Sequence, residues 1–299
     1  MTDARLIDRS SYQAHLNGQQ SATRAMQRLI SILLFSSLSL LSGCSHVFFQ
    51  PSKELLVTPD QLGLEYRDVY FSSSDNLQLH GWWFPAEEES NALILFLHGN
   101  AENISTHSAA VYWLTRHQYD VFIFDYRGYG LSQGQPGLDG AINDIYHAME
   151  YASKRYPADK KIFLIGQSLG ASLGIYSLAQ RPQGIDGAVF VSPFSDYRAI
   201  ARDMLASSWL TWSFQWPLSL TISNRYRPLD AVQQLPQIPL LYLYSEQDEI
   251  IHPRHVRALY QLSRQPKFIA QLEGSHSNLF SHAGNRQLLL QYLNSWLVE

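Results

Sequence analysis

The chain has 299 residues, 45% of them hydrophobic and 16% charged, which is enough to build a sizeable core and too apolar for a disordered chain. Its formal charge of -4 at pH 7 comes with no basic stripe along the sequence, so nucleic acid is not an expected partner. With a single cysteine, Cys44, there is no internal disulfide to staple the fold, which must rest on its core.

The first feature in chain order is a targeting segment. Leu29 to Leu41 is a run of apolar and small residues preceded by Arg24 and Arg28. It is too short for a comfortable membrane span, which takes about 20 apolar residues, and has the length of a secretory h-region. The polar stretch 1–25 is long for an n-region, and Met26-Gln27-Arg28 makes the more ordinary translation start. The run ends in Leu41-Ser42-Gly43-Cys44, which resembles the bacterial lipobox. That resemblance implies cleavage before Cys44, lipid on Cys44 and a membrane anchor in the bacterial cell envelope. Because Ser45 rather than Asp follows the cysteine, it further implies the outer membrane in a Gram-negative host. An uncleaved signal anchor, with Cys44 a bystander, is the other reading. Residues 1–43 are thus expected to be a signal peptide, and residues 44–63, punctuated by Pro51 and Pro59, a lipidated tether.

From about Leu64 to Glu299 the pattern is that of one α/β domain. Glu65–Phe71 and Leu77–Phe84 alternate in polarity around Ser72-Ser73-Ser74-Asp75-Asn76 and predict an antiparallel hairpin. Short apolar runs follow at Ala92–Leu97, Val121–Phe124, Ile162–Ile165, Ala188–Val191, Leu240–Tyr244 and Lys267–Leu272. Most have the character of strands buried on both faces of a parallel sheet. Helical periodicity fills the gaps at His107–His117, Leu138–Arg155, Leu169–Arg181, His255–Arg264 and Arg286–Val298. The alternation predicts a doubly wound, mostly parallel sheet of about eight strands flanked by helices. The segment Asp196–Pro236 breaks the rhythm, with Trp209, Trp212 and Trp216 among Leu, Phe and Ile residues. It reads as a helical, lid-like insertion or acyl-binding wall, or as ordinary helices whose aromatics pack on the core.

Sites in open α/β sheets collect beyond the carboxyl ends of the strands. Gly166-Gln167-Ser168-Leu169-Gly170 follows the Ile162–Ile165 strand and precedes a helix. A serine on so sharp a turn is thrust outward, and the helix start beside it offers free N–H groups to a developing negative charge. Its base and orienting acid are expected later in the order Ser, Asp, His. Asp248 lies after the Leu240–Tyr244 strand and His276 after the Lys267–Leu272 strand, so both fall at the sheet edge of Ser168. Glu246 and Glu249 compete with Asp248, and His282 with His276, from less suitable positions. After Ala92–Leu97 comes His98-Gly99-Asn100-Ala101-Glu102-Asn103, where Asn100, with Leu169, is the expected backbone donor of an oxyanion hole. Truncating the Asn100 side chain is then expected to matter less than distorting its loop, and His98 reads as a loop-shaping residue.

These motifs, with Asp125-Tyr126-Arg127-Gly128-Tyr129-Gly130-Leu131-Ser132, resemble the Bem46-like branch of the α/β-hydrolases, grouped with serine aminopeptidase-like enzymes. The resemblance runs from Leu64 to the C-terminus. It implies the α/β-hydrolase fold, the triad Ser168, Asp248 and His276, and cleavage of an ester, thioester or amide. Ser245 stands where related loops usually carry glycine. The Asp125–Ser132 loop is expected to supply turns and salt bridges, with Tyr126 and Tyr129 as candidate pocket residues.

No His-Glu-x-x-His pattern points to a metal, and Gly128-Tyr129-Gly130 lacks dinucleotide spacing, so neither metal nor cofactor is expected. His252 and His255 read as an exposed helix start after Pro253. The leading expectation is a serine carboxylesterase or thioesterase acting on a small-molecule or acylated substrate near the membrane. A serine peptidase or amidase uses the same triad. A non-catalytic envelope binding protein is the third reading.

Overall fold

The computed structural model describes residues 48–182 and 184–298. Cys44, the signal segment 1–43, the Met26 start and the first residues of the tether lie outside the described residues.

Eight strands form one sheet in the order β1-β2-β4-β3-β5-β6-β7-β8. The first two, β1 (Arg67–Ser72) and β2 (Gln78–Phe84), make the expected antiparallel hairpin, and β2 also runs antiparallel to β4 (Tyr119–Phe124). From β4 onward every neighbouring pair is parallel: β3 (Ala92–Leu97), β5 (Lys161–Gln167), β6 (Gly187–Val191), β7 (Leu240–Ser245) and β8 (Lys267–Leu272). The central strands β3 and β6 are buried at every position, as continuous apolar runs require when helices cover both faces. At the margin, β1 alternates exposed and buried residues after its first two positions, and edge strand β8 is only partly covered.

The covering helices are α1 (Ile104–His107), α2 (Leu138–Arg155), α3 (Leu169–Gln180), α4 (Tyr197–Ala206), α5 (Gln215–Leu220), α6 (Pro228–Ala231), α7 (Pro253–Leu262) and α8 (Ala283–Val298). The helix expected over His107–His117 is replaced by the single turn α1 and two 3-10 turns, Ser108–Ala110 and Tyr112–His117. Side chains here bond carbonyls three residues back: Thr106 Oγ1 to Asn103 O at 3.1 Å, Trp113 Nε1 to Ala110 O at 2.8 Å and Thr115 Oγ1 to Tyr112 O at 2.9 Å. Bonds of that span favour the tighter helix.

The expected domain boundary at Leu64 needs correction, because residues 48–63 are laid against the domain and do not hang from it as a free tether. Phe48 and Phe49 are buried. Phe48 packs against Phe194 and Tyr197, with ring centroids 6.2 and 5.3 Å apart. Pro51 bridges to Glu102, and the Ser52 N–H donates to Glu102 O at 3.1 Å. The polar sequence 50–63 gave no periodicity from which to read this docking.

The parallel register sets the geometry that follows. Leu97 lies beside Gly166, Gln167 beside Val191 and Ser245 beside Leu272. The chain therefore leaves β3, β5, β6, β7 and β8 along one edge of the sheet.

Candidate active site

Ser168 occupies the turn from β5 into α3 with φ 54° and ψ -116°, a conformation that a residue with a side chain adopts only under constraint. Two close approaches impose it. A Cβ on Gly166 would lie 2.6 Å from Ala171 Cα, and one on Gly170 would lie 2.2 Å from Leu97 O, so neither position has room for a side chain. The Ser168 N–H is spent on Val191 O at 2.9 Å, which pins the turn to β6. Ser168 Oγ makes no hydrogen bond with a described residue, and is free to turn toward an imidazole on the same cleft.

That imidazole belongs to His276. Its Nδ1 lies 2.8 Å from Asp248 Oδ2, and the Asp248 side chain is fully buried. Burial alone would raise the Asp248 pKa. The hydrogen bond and charge of His276, with the N–H of Ile251, outweigh it and hold the carboxyl below its usual range. Asp248 Oδ1 also accepts from the N–H groups of Ile250 and Ile251, at 3.0 and 2.7 Å, which folds the acid loop around the carboxylate.

Neighbouring groups fix the two loops to each other. Ser245, where related loops usually have glycine, donates to Gly274 O at 2.6 Å and accepts from the Gln247 N–H at 3.0 Å. Gln247 Oε1 takes the Gly274 N–H at 2.9 Å. Glu249 accepts the His276 N–H at 3.1 Å, and Gln167 Nε2 reaches His276 O at 3.4 Å. Glu249, considered only as a rival acid, thus holds the backbone of the histidine. Glu246 is exposed and paired with Arg257, and His282 is not among the residues bordering the cleft.

The loop after β3 is held by side chains that sequence spacing does not disclose. Ala101 and Glu102 both have positive φ, at 65° and 54°. Asn100 Oδ1 accepts the Gln50 N–H at 2.8 Å and the Tyr129 hydroxyl at 3.1 Å. The Asn100 side chain is therefore itself one of the loop's fixtures, a role that sequence spacing did not disclose. His98 shapes the loop through Nδ1, 2.8 Å from Gly99 O. Burial pushes its pKa well below the ordinary histidine value, with nearby His107 acting in the same sense. Beneath it Asp125, also buried, has a pKa pushed up to about 8 by desolvation against the pull of the Ile104 N–H and Lys53. Tyr126 and Tyr129 are wholly buried and do not border the cleft, contrary to the reading of them as pocket residues. Arg127, on the same loop, pairs with buried Asp144 at 2.8 Å and with Asp75 at 3.0 Å.

Ser168 and His276 open on a cleft of about 630 Å³ that also meets Asn100 and Leu169. Among the described residues, neither the Leu169 nor the Asn100 N–H donates to a protein acceptor. Its apolar lining includes Phe48, Phe194, Ile200, Met204, Ile250 and Phe280. Among the described residues no aspartate or glutamate borders the cleft, and Arg286 is the one permanently charged side chain there. Phe48 and Phe194 went unnoticed in the sequence, because lining a cleft depends on tertiary placement and leaves no local pattern.

A strained serine at a strand-to-helix turn, on a mostly parallel sheet with an acid–histidine pair at the same edge, defines an α/β-hydrolase. The family model described as serine aminopeptidase, S33, matches residues 88–228. YfhR of Salmonella typhi is 32% identical over 235 residues, covering 73% of this chain and 76% of that protein. Protein bem46 of Schizosaccharomyces pombe is 27% identical over 258 residues, 82% of each chain. The chain belongs to the Bem46-like branch of the α/β-hydrolases. Among solved structures, the Pyrococcus furiosus esterase Pf2001 shares the fold, with a TM-score of 0.68 and 23% identity across 84% of this chain and 98% of that one. The acylaminoacyl peptidase of Pyrococcus horikoshii aligns with a TM-score of 0.60 and 18% identity, covering 77% of this chain and 41% of its own.

Proposed function

We propose that this hydrolase cleaves carboxylic esters or thioesters through an acyl-enzyme, with Ser168 as nucleophile, His276 as base and Asp248 as orienting acid. The observation that carries the reading is the 2.8 Å Asp248–His276 pair beside a strained Ser168 on one apolar-walled cleft. His276 Nε2 takes the Ser168 proton as Oγ adds to the acyl carbonyl, while Asp248 keeps Nδ1 protonated and balances the imidazolium. The N–H groups of Leu169 and Asn100 receive the oxyanion, helped by the start of α3. Collapse of the tetrahedral species expels the alcohol or thiol with the proton from His276. Water, deprotonated by the same imidazole, then attacks the acyl-Ser168 ester and releases the acid.

The absence of carboxylates from the cleft border among the described residues favours acyl esters over peptides with a free amino terminus, which need an anionic partner for the ammonium. Lipidation of Cys44 and residence in the bacterial envelope, at the outer membrane in a Gram-negative host, belong to the same proposal. They rest on the Leu41-Ser42-Gly43-Cys44 motif. The test is a panel of p-nitrophenyl acyl esters of increasing chain length against aminoacyl-naphthylamides, with Ser168→Ala as control. Turnover of the esters that disappears in Ser168→Ala is expected. Faster cleavage of the naphthylamides, or no fluorophosphonate labelling of the native protein, would count against the proposal.

A further inference from the structure

The insertion between β6 and β7 turns its apolar residues outward. From 204 to 224 there is no charged residue; Asp203, paired with Arg254 and His255, and Arg225 adjoin the stretch, with Arg202 one position further out. Trp209 is 85% exposed, Trp212 60% and Trp216 63%, with Leu210, Phe214 and Leu220 exposed beside them. In α5 the arrangement is inverted relative to a helix packed on a core: Ser219 is the buried residue, while Trp216, Leu218 and Leu220 face out. The reading of these tryptophans as core-packing residues is thereby corrected. A patch this apolar on a folded chain marks an interaction surface.

We infer that this surface docks into the interfacial zone of a phospholipid bilayer, bringing the mouth of the Ser168 cleft to the lipid. Three observations select lipid as the occupant. The first is composition: tryptophan with flanking arginine is the pairing suited to the headgroup boundary, and Arg202 stacks over Trp216 at 4.8 Å. The second is the path of the chain. Phe48 packs on Tyr197, the first residue of α4, which leads directly into the patch. Residues 45–47 alone separate Phe48 from Cys44, a reach of at most about 14 Å. An anchor at Cys44 therefore holds this edge of the fold close to the membrane. The third is continuity: Ile200 and Met204 of α4 border the cleft, and Met204 is itself half exposed at the start of the patch. Among the described residues no helix is long and apolar enough to cross a membrane. The access route from bilayer to cleft rests on the esterase proposal, and the second observation rests on the proposed lipidation of Cys44; the exposed tryptophan patch rests on neither.

The docking is tested in the lipid-anchored chain, where the anchor occupies the Cys44 sulfur and leaves an introduced cysteine as the one thiol to label. A nitrobenzoxadiazole probe is placed at Trp209→Cys, or at Asp159→Cys before β5, and the protein is bound to phosphatidylethanolamine–phosphatidylglycerol vesicles. The probe at 209 is expected to shift to the blue and be quenched by brominated acyl chains, while the probe at 159 keeps its aqueous emission. An unquenched, aqueous probe at 209 overturns the inference. So does a probe shielded only by concentration-dependent self-association without vesicles, which would assign the patch to a second copy of the chain. In the otherwise native chain, Trp209→Ser with Trp212→Ser and Phe214→Ser should leave soluble p-nitrophenyl butyrate turnover within about twofold and cut turnover of a vesicle-embedded acyl ester by about tenfold. Equal rates on the two substrates would sever the patch from substrate access. Absence of turnover on both, with quenching at 209 intact, would sink the esterase reading and leave the docking standing.

Discussion

Two Ser–His–Asp arrangements occur in this molecule, and they behave as opposites. In one, Asp248 bonds His276 beside Ser168; in the other, Asp203 Oδ2 lies 2.9 Å from His255 Nε2, and His255 Nδ1 lies 2.8 Å from the Ser195 hydroxyl. By hydrogen-bond inventory the second is the more complete, since its serine is bonded to its imidazole. Yet His255 is 2% exposed, Ser195 is buried and neither borders the cleft. Ser195, just before the N-cap of α4, has no positive φ; its array clasps α4 to α7. His255 was expected at an exposed helix start, and its burial corrects that reading. Residue types and bond lengths do not make a nucleophile. What sets Ser168 apart from Ser195 is its strained turn, the free amides beside it and its access to the cleft.

The sharpest way to break this contrast is to remove each serine. Ser168→Ala should lower ester turnover by about 10⁴-fold or more, whereas Ser195→Ala should stay within a few-fold, measured as kcat/KM on p-nitrophenyl butyrate. Fluorophosphonate should mark Ser168 alone; labelling that survives in Ser168→Ala would erase the distinction. Next come the acids. Asp248→Asn should lose about 10³–10⁴ in kcat through the wrong imidazole tautomer, with little change in thermal midpoint. Asp203→Asn should do the reverse, costing about 1–3 kcal/mol in urea unfolding with turnover nearly intact.

Asn100→Ala leaves the Gln50 N–H and Tyr129 hydroxyl without their acceptor, and should reduce kcat more than it raises KM by loosening the Asn100 amide. The smallest effect concerns pH. Asp125 holds its proton up to about pH 8 in the folded chain, against an unfolded value of 3.8. Below pH 3.8 both states are protonated and it contributes no slope. Between 3.8 and about 8 the unfolded chain has released the proton and the folded one retains it, so this group makes stability fall as pH rises. Asp125→Asn keeps an oxygen for the Ile104 N–H, 2.9 Å away in the native chain, and should flatten that slope in urea midpoints measured from pH 4 to 8. An unchanged slope would place the titration elsewhere. Asp248 acts in the opposite direction, its stabilisation being present above 3.8 and lost as pH falls through its depressed value.

Much of the architecture was legible because buried parallel strands and amphipathic helices write their periods into the chain. The runs at β3, β5, β7 and β8 located the strand ends, and with them Ser168, Asp248 and His276. What stayed hidden depended on contacts between distant residues. Phe48 and Phe49 read as tether because two aromatics carry no period, and only Phe194, Tyr197 and Tyr129 give them a partner. Whether Trp209, Trp212 and Trp216 face the core or the solvent is set by how α4 leaves β6, which composition does not encode. The same holds for Asn100, whose side-chain oxygen accepts from donors 50 and 29 positions away in the chain.

The absent side chain at Gly170 has a consequence for how such an enzyme can diversify. With no Cβ there, the first turn of α3 rests directly on the backbone carbonyls of Leu97 and His98. The amides of Leu169 and Asn100 therefore belong to one incompressible wedge, and neither can be retuned alone. Variation in what the cleft admits is left to other lining residues such as Phe194, Ile200, Met204 and Ile250, none of which is part of that wedge. The molecule is built as a fixed jaw and an adjustable one.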